Sequence, residues 1–453
     1  MKKINILITA VLFWVLSSCQ SFLEPVPPIN IPIDAAYTSA ESVQNGLIGV
    51  YASMQKSYYY GGYYLLVGEG LSDNSSTGGY DNPVIDEIGG KAVTPSNTLV
   101  GNMWVAIYNT IAHTNHLLKG VEGVSMDGTE KAQVIAQARA VRALAHFDLL
   151  RYFGAHWDIN SKYGVPVIDS PVGIDVKPSR KTVSETYTFI ISELTAALAT
   201  VGDNSSANFI GKDAIKALLA RVYLYKGDKV NASKYATEVI NSGKYHFLDT
   251  PAKIYNTKTS SESIFELYFD QQSQSSYNGY TYAREDALRS EVLFLASGNL
   301  NSFFKARPTD PRGGLLDYST DTNNPSITES GDGRTQKFRG ETTKDNPAYI
   351  VRLAEMYLIK AEADNSVAPI NVLRKARGVD ALKTLTGDAL TNAILDERRA
   401  ELNFEGHRFF DLVRLKKYTS MFGLEAYKVV LPIPTNEILA SDNNLVQYPG
   451  YDN

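Results

Sequence analysis

Apolar and charged residues recur at helical spacing from Ala393 to Lys417, and this stretch constrains the fold more than any other part of the chain. Leu395 and Leu402 lie seven residues apart, and the three-to-four spacing resumes at Phe409. Such spacing places apolar side chains on one face of a helix. Because Gly406 interrupts the pattern, we expect two short amphipathic helices hinged at this glycine.

The same stretch carries opposite charges three residues apart, which predicts ion pairs along its helices. The expected pairs are Asp396 with Arg399, Arg398 with Glu401, Glu405 with Arg408, and Asp411 with Arg414. Exposed pairs of this kind contribute only about 0.2–0.5 kcal/mol each. Because large apolar residues surround them, we expect some of these charges to be buried as a network that fixes how neighbouring helices cross. The role predicted for Arg398, Glu401, Glu405 and Arg408 is therefore structural.

A catalytic alternative for Glu401 and Glu405 is a glycosidase acid and nucleophile. A glycosidase needs its two carboxyl groups on opposite sides of the scissile bond. Residues four apart on a helix lie side by side, with Cβ atoms roughly 6 Å apart on one surface. The spacing therefore disfavours this pair as catalytic.

Several segments together resemble one protein family, and the resemblance covers nearly the whole chain. They are ERRAELNFEGHRFFDLVR from Glu397, WVAIYNTIAHTNHLL from Trp104, AQARAVRALAHFDLLRYFG from Ala136, DAIKALLARVYLYKGD from Asp213, DPR from Asp310, VRLAEMYLIKAEA from Val351, and LPIPTNEI from Leu431. Their order and number resemble those of the SusD/RagB family of outer-membrane nutrient-binding lipoproteins.

This resemblance implies a non-catalytic lipoprotein that binds oligosaccharides, or in some members peptides. It also implies delivery of the ligand to a SusC-like TonB-dependent transporter, and a surface that faces the cell exterior. The fold it implies is mainly α, with a tetratricopeptide-like core of paired helices, long irregular loop inserts and a few short strands. We expect residues 34–453 to form one such domain.

The N-terminus has the pattern of a lipoprotein signal. Lys2 and Lys3 precede an apolar run that is too short to span a membrane comfortably, which predicts a signal peptide over residues 1–18. Cys19 follows Leu16 and small residues, and it is the only cysteine in the chain. We therefore expect lipidation of Cys19, with residues 19–33 as a proline-rich tether. An ordinary cleaved signal with an incidental cysteine is the alternative.

Helical periodicity also predicts the core of the fold. The expected helices run from Asn97 to Leu118, Glu130 to Phe153, Ser184 to Leu198, Lys212 through Ile240, Tyr349 to Ala363, and Ile370 to Arg377. Small residues at the expected crossings and a period in the thirties favour tetratricopeptide-like pairs. Stacked pairs need neighbours to bury both faces, so we expect one solenoid core.

Two regions lack the helical pattern, and we expect them to form the ligand face. Residues 57–97 and 245–347 are rich in Gly, Ser, Asn and Tyr, which favours loops and short strands, with a strand predicted from Glu262 to Asp270. Tyrosine rings can stack on sugar C–H faces while polar neighbours bind hydroxyl groups. The candidate ligand-binding residues are Tyr58, Tyr59, Tyr60, Tyr63, Tyr64, Asp73, Asn74, Tyr80, Tyr277, Asn278, Tyr280, Tyr282 and Arg284.

The resemblance supports these loops, because the corresponding segments of starch-binding relatives supply aromatic residues. However, neither loop contains a tryptophan: Trp104 and Trp157 lie in or beside predicted helices. A tryptophan arc for helical starch therefore cannot be transferred to this chain. The alternative reading of each tyrosine is that it packs a loop onto the helical core.

Other functions have little support in the sequence. A net charge of -5 without a long basic run disfavours nucleic acid. His113 and His116 share a helical face but lack a third ligand, so we predict no catalytic metal and no cofactor. A structural calcium site stays open and unassigned. Its acidic candidates are Asp73, Asp81, Asp86 and Glu87, or Asp317, Asp321 and Asp332.

The function predicted is thus non-catalytic oligosaccharide binding at the outer membrane. A RagB-like peptide receptor is the alternative within binding proteins. A surface glycosidase is the alternative among enzymes, although no phosphate loop, nucleophile elbow, HExxH or CxxC motif occurs in the sequence.

Overall fold

The structure is a computed structural model that describes residues 33–78, 82–173, 175–203, 206–270, 272–277, 293–317, 333–338 and 344–451. Cys19 and the rest of the predicted signal and tether up to residue 32 lie outside these ranges. None of the helices within the ranges combines the length and apolar content that crossing a membrane requires.

The described chain is mainly helical, as predicted. In the first half the helices are α1 (Ile33–Ala36), α2 (Ala40–Met54), α3 (Tyr63–Gly70), α4 (Pro83–Gly89), α5 (Thr98–Gly120), α6 (Gly128–Phe153), α7 (Val183–Thr200), α8 (Lys212–Lys226) and α9 (Lys229–Asn241). In the second half they are α10 (Pro251–Asn256), α11 (Gly298–Lys305), α12 (Leu353–Ala363), α13 (Ala368–Ala376), α14 (Gly387–Leu402), α15 (Arg408–Arg414), α16 (Tyr418–Phe422) and α17 (Thr435–Ala440).

Side-chain caps explain where several long helices begin. The Asn97 side chain accepts a hydrogen bond from the Val100 amide at 3.1 Å and starts α5. Thr182 and Glu185 form a reciprocal capping box at the start of α7. Each cap satisfies amide groups that lack partners within the first helical turn.

The helices form a stack that follows chain order through α9 and then returns to the C-terminal part of the chain. Helix α2 packs on α5, α5 on α6, α6 on α7, α7 on α8, and α8 on α9. Helix α9 then packs on α12, which also contacts α13 and α14. This arrangement confirms the prediction of paired, tetratricopeptide-like helices assembled from distant parts of the sequence.

Among the residues that the structure describes, six short strands pair in twos, and each pair is antiparallel. Strand β1 (Ser75–Thr77) pairs with β3 (Phe294–Ala296), β2 (Ser263–Leu267) with β6 (Ala348–Arg352), and β4 (Leu316–Asp317) with β5 (Arg334–Thr335). The β1–β3 pair joins the segment 57–97 to the segment 245–347, and the β2–β6 pair joins the segment 245–347 to the strand that follows it. The β4–β5 pair lies within the segment 245–347. The strand predicted around residues 262–270 is present as β2.

The region 57–97 differs from its prediction, because it contains α3 and α4. Every residue of α3 from Tyr64 to Gly70 is buried. A helix that is buried on all sides has no polar face, so its sequence lacks the alternation that identifies an amphipathic helix. Its two glycines strengthened the wrong interpretation, since glycine disfavours a helix in isolation.

Helices α14 and α15 confirm the predicted hinge at Gly406. This glycine has a φ of 75°, which is in the left-handed region that favours glycine. A Cβ there would lie 3.0 Å from the Leu65 side chain, so α3 also packs against the hinge. The hinge between α14 and α15 therefore packs against α3, which lies in the first loop region.

The ion pairs in this stretch differ from those expected. Only Asp411 and Arg414 form the predicted pair, at 2.8 Å. Arg398 binds Asp411 at 2.7 Å instead of Glu401, and Arg408 binds Asp73 at 2.7 Å instead of Glu405. The prediction was wrong for the other three pairs. A buried charge needs several hydrogen bonds, which a single neighbour on the same helix cannot supply.

Glu401 and Glu405 lie at the centre of a buried charge network. Arg312, Arg352 and Arg377 all donate to the Glu401 carboxylate, at 3.2, 3.1 and 2.8 Å respectively. Arg352 also donates to Glu405 at 2.8 Å. Through these contacts one turn of α14 is held to β6, to the end of α13 and to the segment before β4. The contacts support the structural role predicted for these two glutamates.

Candidate functional site

The first tyrosine-rich loop divides into one partly exposed ring pair and a buried cluster. Tyr58 is 38% exposed and stacks on the half-buried Tyr63, with ring centroids 5.1 Å apart and an angle of 20° between the rings. We name these two rings the tyrosine platform. Nearly parallel rings at this distance are stacked on each other, so the more exposed Tyr58 offers an apolar ring surface that Tyr63 supports from one side.

The buried cluster comprises Tyr59, Tyr60 and Tyr64, whose hydroxyl groups all donate to Asp148. The three O–H···O distances are 2.6, 2.7 and 2.7 Å. Arg151 also donates to Asp148, at 2.6 Å. Burial raises the pKa of each of the three tyrosines well above its usual value. The prediction that these three residues bind ligand was wrong, because none of their rings is accessible.

Asp73 and Asn74 are also structural, which corrects their prediction as ligand residues. Burial would raise the pKa of Asp73, but the guanidinium groups of Arg408 and Arg399 hold it below its usual value. Asn74 is fully buried and accepts a hydrogen bond from Arg399 at 2.9 Å. The two residues tie the start of β1 to α14 and α15, which accounts for the buried Arg408 that the sequence indicated.

In the second loop, Tyr277 is buried and donates to the Phe404 carbonyl at 2.8 Å. Its ring packs edge-on against Phe338, with centroids 4.7 Å apart. The prediction that Tyr277 stacks on ligand was therefore wrong. Tyr80, Asn278, Tyr280, Tyr282 and Arg284 lie outside the described residues, so their predicted role stays a prediction.

The two loop regions meet beside the tyrosine platform. The Ser276 amide donates to the Gly61 carbonyl at 2.8 Å, and the Ser275 amide donates to the Lys344 carbonyl at 2.7 Å. The hydroxyl groups of Ser57 and Ser276 lie 3.4 Å apart. Polar groups from both loops therefore adjoin the platform, as a sugar-binding surface requires.

Tyr268 is an exposed aromatic residue that the sequence analysis did not select. It follows β2, is 42% exposed, and lies under the Lys258 ammonium group at 4.8 Å from its ring centroid. Its neighbours Leu267 and Phe269 are buried. Because β2 is buried on both faces, its sequence shows no alternation that would have distinguished Tyr268 from its buried neighbours.

The glycosidase interpretation of Glu401 and Glu405 does not fit the geometry. Both residues are buried, and Arg352 contacts both carboxylates. Burial would raise the pKa of each, but the surrounding cations hold the pKa of Glu405 at about 2 and that of Glu401 well below its usual range. A general acid must keep its proton near neutral pH, and neither residue can do so.

The metal candidates have other partners or lie outside the described ranges. Among the described residues, no three His, Cys, Asp or Glu side chains come together as a metal site would require. Glu87 accepts hydrogen bonds from Thr94 and Asn97, and burial lowers the pKa of His113. Asp81, Asp321 and Asp332 are not among the described residues.

Comparisons with known proteins agree with this architecture. A family model described as "Starch-binding associating with outer membrane" matches residues 21–224, and the SusD family model matches residues 309–451. SusD-like protein P2 of Formosa agariphila is 26% identical over 100% of both chains. SusD-like protein P38 of the same organism is 24% identical over 93% of this chain and 94% of its own.

Solved structures give the same result. A SusD superfamily protein from Bacteroides thetaiotaomicron is 27% identical, with a TM-score of 0.79 over 91% of this chain and 100% of its own. A protein described as a laminarin-binding SusD-like protein is 25% identical, with a TM-score of 0.77 over 92% of this chain and 100% of its own. This protein belongs to the SusD/RagB family, as shown by two family models that together match most of the chain, by full-length relatives and by the shared fold.

Proposed function

We propose that this protein is a non-catalytic glycan receptor of the outer membrane, which binds an oligosaccharide at the tyrosine platform and passes it to a SusC-like TonB-dependent transporter. The stacked pair of the exposed Tyr58 and the half-buried Tyr63 is the observation that carries the proposal. The family's association with the outer membrane and the sugar-binding descriptions of its members support it.

The platform suits the flat C–H face of a pyranose ring. A ring stack contributes roughly 1 kcal/mol, so the platform provides a modest affinity. Hydroxyl groups of Ser57 and Ser276 adjoin the rings and offer donors and acceptors to sugar hydroxyls. Modest affinity is appropriate for a receptor that must release its ligand to a transporter.

The rigid support of the platform is a further argument for this site. Tyr59 and Tyr60 directly follow Tyr58, and both are anchored to Asp148 in the core. The Tyr63 amide donates to the Ser57 carbonyl at 2.7 Å, which closes the loop. Because the backbone under the rings is fixed, little conformational entropy is lost when a sugar binds.

Membrane attachment is proposed to occur through an acyl group on Cys19, with the platform facing the cell exterior. Cys19 is the only cysteine in the sequence and follows a signal-peptide pattern.

The experiment that tests the ligand site uses oligosaccharide binding by isothermal titration calorimetry. The relative that binds laminarin makes laminarin oligosaccharides the first ligands to titrate, followed by malto-oligosaccharides and peptides. We expect Tyr58→Ala to weaken glycan binding about five-fold, since about 1 kcal/mol of stacking is lost. The matched control is Tyr235→Ala, because Tyr235 also forms a stacked pair, with Tyr223 at 5.8 Å.

Equal affinities of Tyr58→Ala and the unsubstituted protein would remove the platform from the site. Binding of peptides with no glycan retained would support the peptide-receptor alternative instead. Release of new reducing ends from a bound glycan would contradict the non-catalytic role.

A further inference from the structure

A polar cavity of about 400 Å³ lies away from the tyrosine platform, at the start of α8. Its walls come from the loop before α8, the turn after α9 and the segment that leads into β2. The residues that characterise it are Asp203, Ser206, Phe209, Asp213, Lys244 and Ser260. We propose that this cavity is a second subsite for a neutral sugar unit. The inference rests on the proposed glycan-binding function but uses none of the platform residues.

The charge balance of the cavity favours a neutral ligand over an anion. The Lys244 ammonium group lies 3.2 Å from Asp203 and 3.0 Å from Asp213. Its hydrogen bond to Asp213 raises the pKa of Lys244, so this lysine stays charged and paired. A phosphate or sulfate would have to approach both carboxylates, whereas a sugar hydroxyl can donate to them.

Unused hydrogen-bonding groups line the same cavity. Gly211 is the N-cap residue of α8 and has no side chain to accept hydrogen bonds from the first-turn amides of the helix. The Asp203 carboxylate adds an accessible acceptor to the cavity, since its side chain is 63% exposed.

An aromatic ring completes the chemistry of a sugar subsite. Phe209 is 42% exposed, and its ring lies at 88° to that of Tyr51 with centroids 5.2 Å apart. Tyr51 is itself fixed, since its hydroxyl donates to Gln137 at 2.7 Å and accepts from the Ile210 amide at 2.9 Å. The Phe209 ring is therefore held in one orientation, available to a sugar C–H face.

The test is a titration of the mature lipoprotein in detergent with laminaritriose and maltotriose. In a Tyr58→Ala/Tyr63→Ala background, which disables the platform, we expect residual sugar binding. Adding Phe209→Ala should weaken that binding about five-fold or more, from the loss of one ring contact. Adding Met421→Ala should leave it unchanged, since Met421 is a comparably exposed apolar residue outside the cavity.

Asp203→Ala is a second variant that keeps the fold, because the Asp203 side chain is 63% exposed. We expect it to weaken the residual binding through loss of a carboxylate acceptor, while leaving the melting temperature nearly unchanged. The inference is overturned if the platform variant loses all sugar binding while the unsubstituted protein binds. It is also overturned if inorganic phosphate displaces the sugar. If the unsubstituted protein binds no sugar at all, the proposed function fails, and the subsite with it.

Discussion

The substitution Glu401→Gln tests whether the buried charge network stabilises the fold. Glu401 accepts hydrogen bonds from three buried guanidinium groups, those of Arg312, Arg352 and Arg377. Replacing its carboxylate with a neutral amide leaves an excess positive charge in the core. Loss of one partner from a buried ion pair typically costs about 3–5 kcal/mol, because the remaining charge stays desolvated. We expect a decrease of this size in the free energy of unfolding.

The matched control is Asp396→Asn, which makes the same chemical change on the same helix. Asp396 pairs with Arg307 at 2.7 Å, but its side chain is 48% exposed and that of Arg307 is 33% exposed. Exposed pairs are screened by solvent and contribute about 0–1 kcal/mol. The two variants therefore differ in burial far more than in chemistry.

The assay is urea denaturation of the soluble chain from Gln20 onward, followed by far-ultraviolet circular dichroism. For a chain of this size, a loss of 3–5 kcal/mol lowers the midpoint by about 1 M urea, whereas Asp396→Asn should shift it only slightly. Equal shifts for the two variants would refute the reasoning, because burial would then make no difference. An unchanged m value would show that each variant exposes the same amount of surface on unfolding as the unsubstituted protein.

Three further predictions follow from individual contacts. Tyr59→Phe removes a hydroxyl that donates to the buried Asp148 and should lower the free energy of unfolding by about 1.5–3 kcal/mol. Tyr58→Phe should change it by less than about 0.5 kcal/mol, because Tyr58 is exposed. Equal effects of the two substitutions in urea denaturation would contradict this prediction. The pKa of Glu405 is about 2 in the folded protein and about 4.3 in the unfolded chain. Its contribution to the free energy of unfolding is therefore complete above pH ~4.3 and is lost as the pH falls toward ~2. A free energy of unfolding that stays constant between pH 5 and 3 would contradict this prediction. Cys19→Ser should move the protein from the membrane fraction to the soluble fraction on cell fractionation, and retention in the membrane would argue against the acyl anchor.

The helical core was predictable because its signal is local. Helices α5 and α7 each bury one face, so their apolar residues recur at helical spacing and their caps lie next to them in the sequence. Helix α3 has no such signal because it is buried on all sides. The sequence pattern therefore identified the stacked framework and missed the helix that supports the tyrosine platform.

The roles of individual tyrosines depended on residues far away in the sequence. Tyr58 and Tyr59 are neighbours, yet Tyr58 is exposed while Tyr59 donates to Asp148, 89 residues later. Asp73 likewise pairs with Arg408, 335 residues later. Composition identified the loop as rich in recognition residues, but only the long-range contacts distinguish a ring that faces solvent from one that anchors the loop.

The most direct test of the proposed receptor function is a crystal structure of the protein with a bound oligosaccharide, chosen as the tightest ligand in calorimetry. We predict electron density for a sugar ring over Tyr58 and Tyr63, with hydroxyl contacts to Ser57 or Ser276. A glycan bound elsewhere, with the two tyrosine rings uncovered, would contradict the proposal.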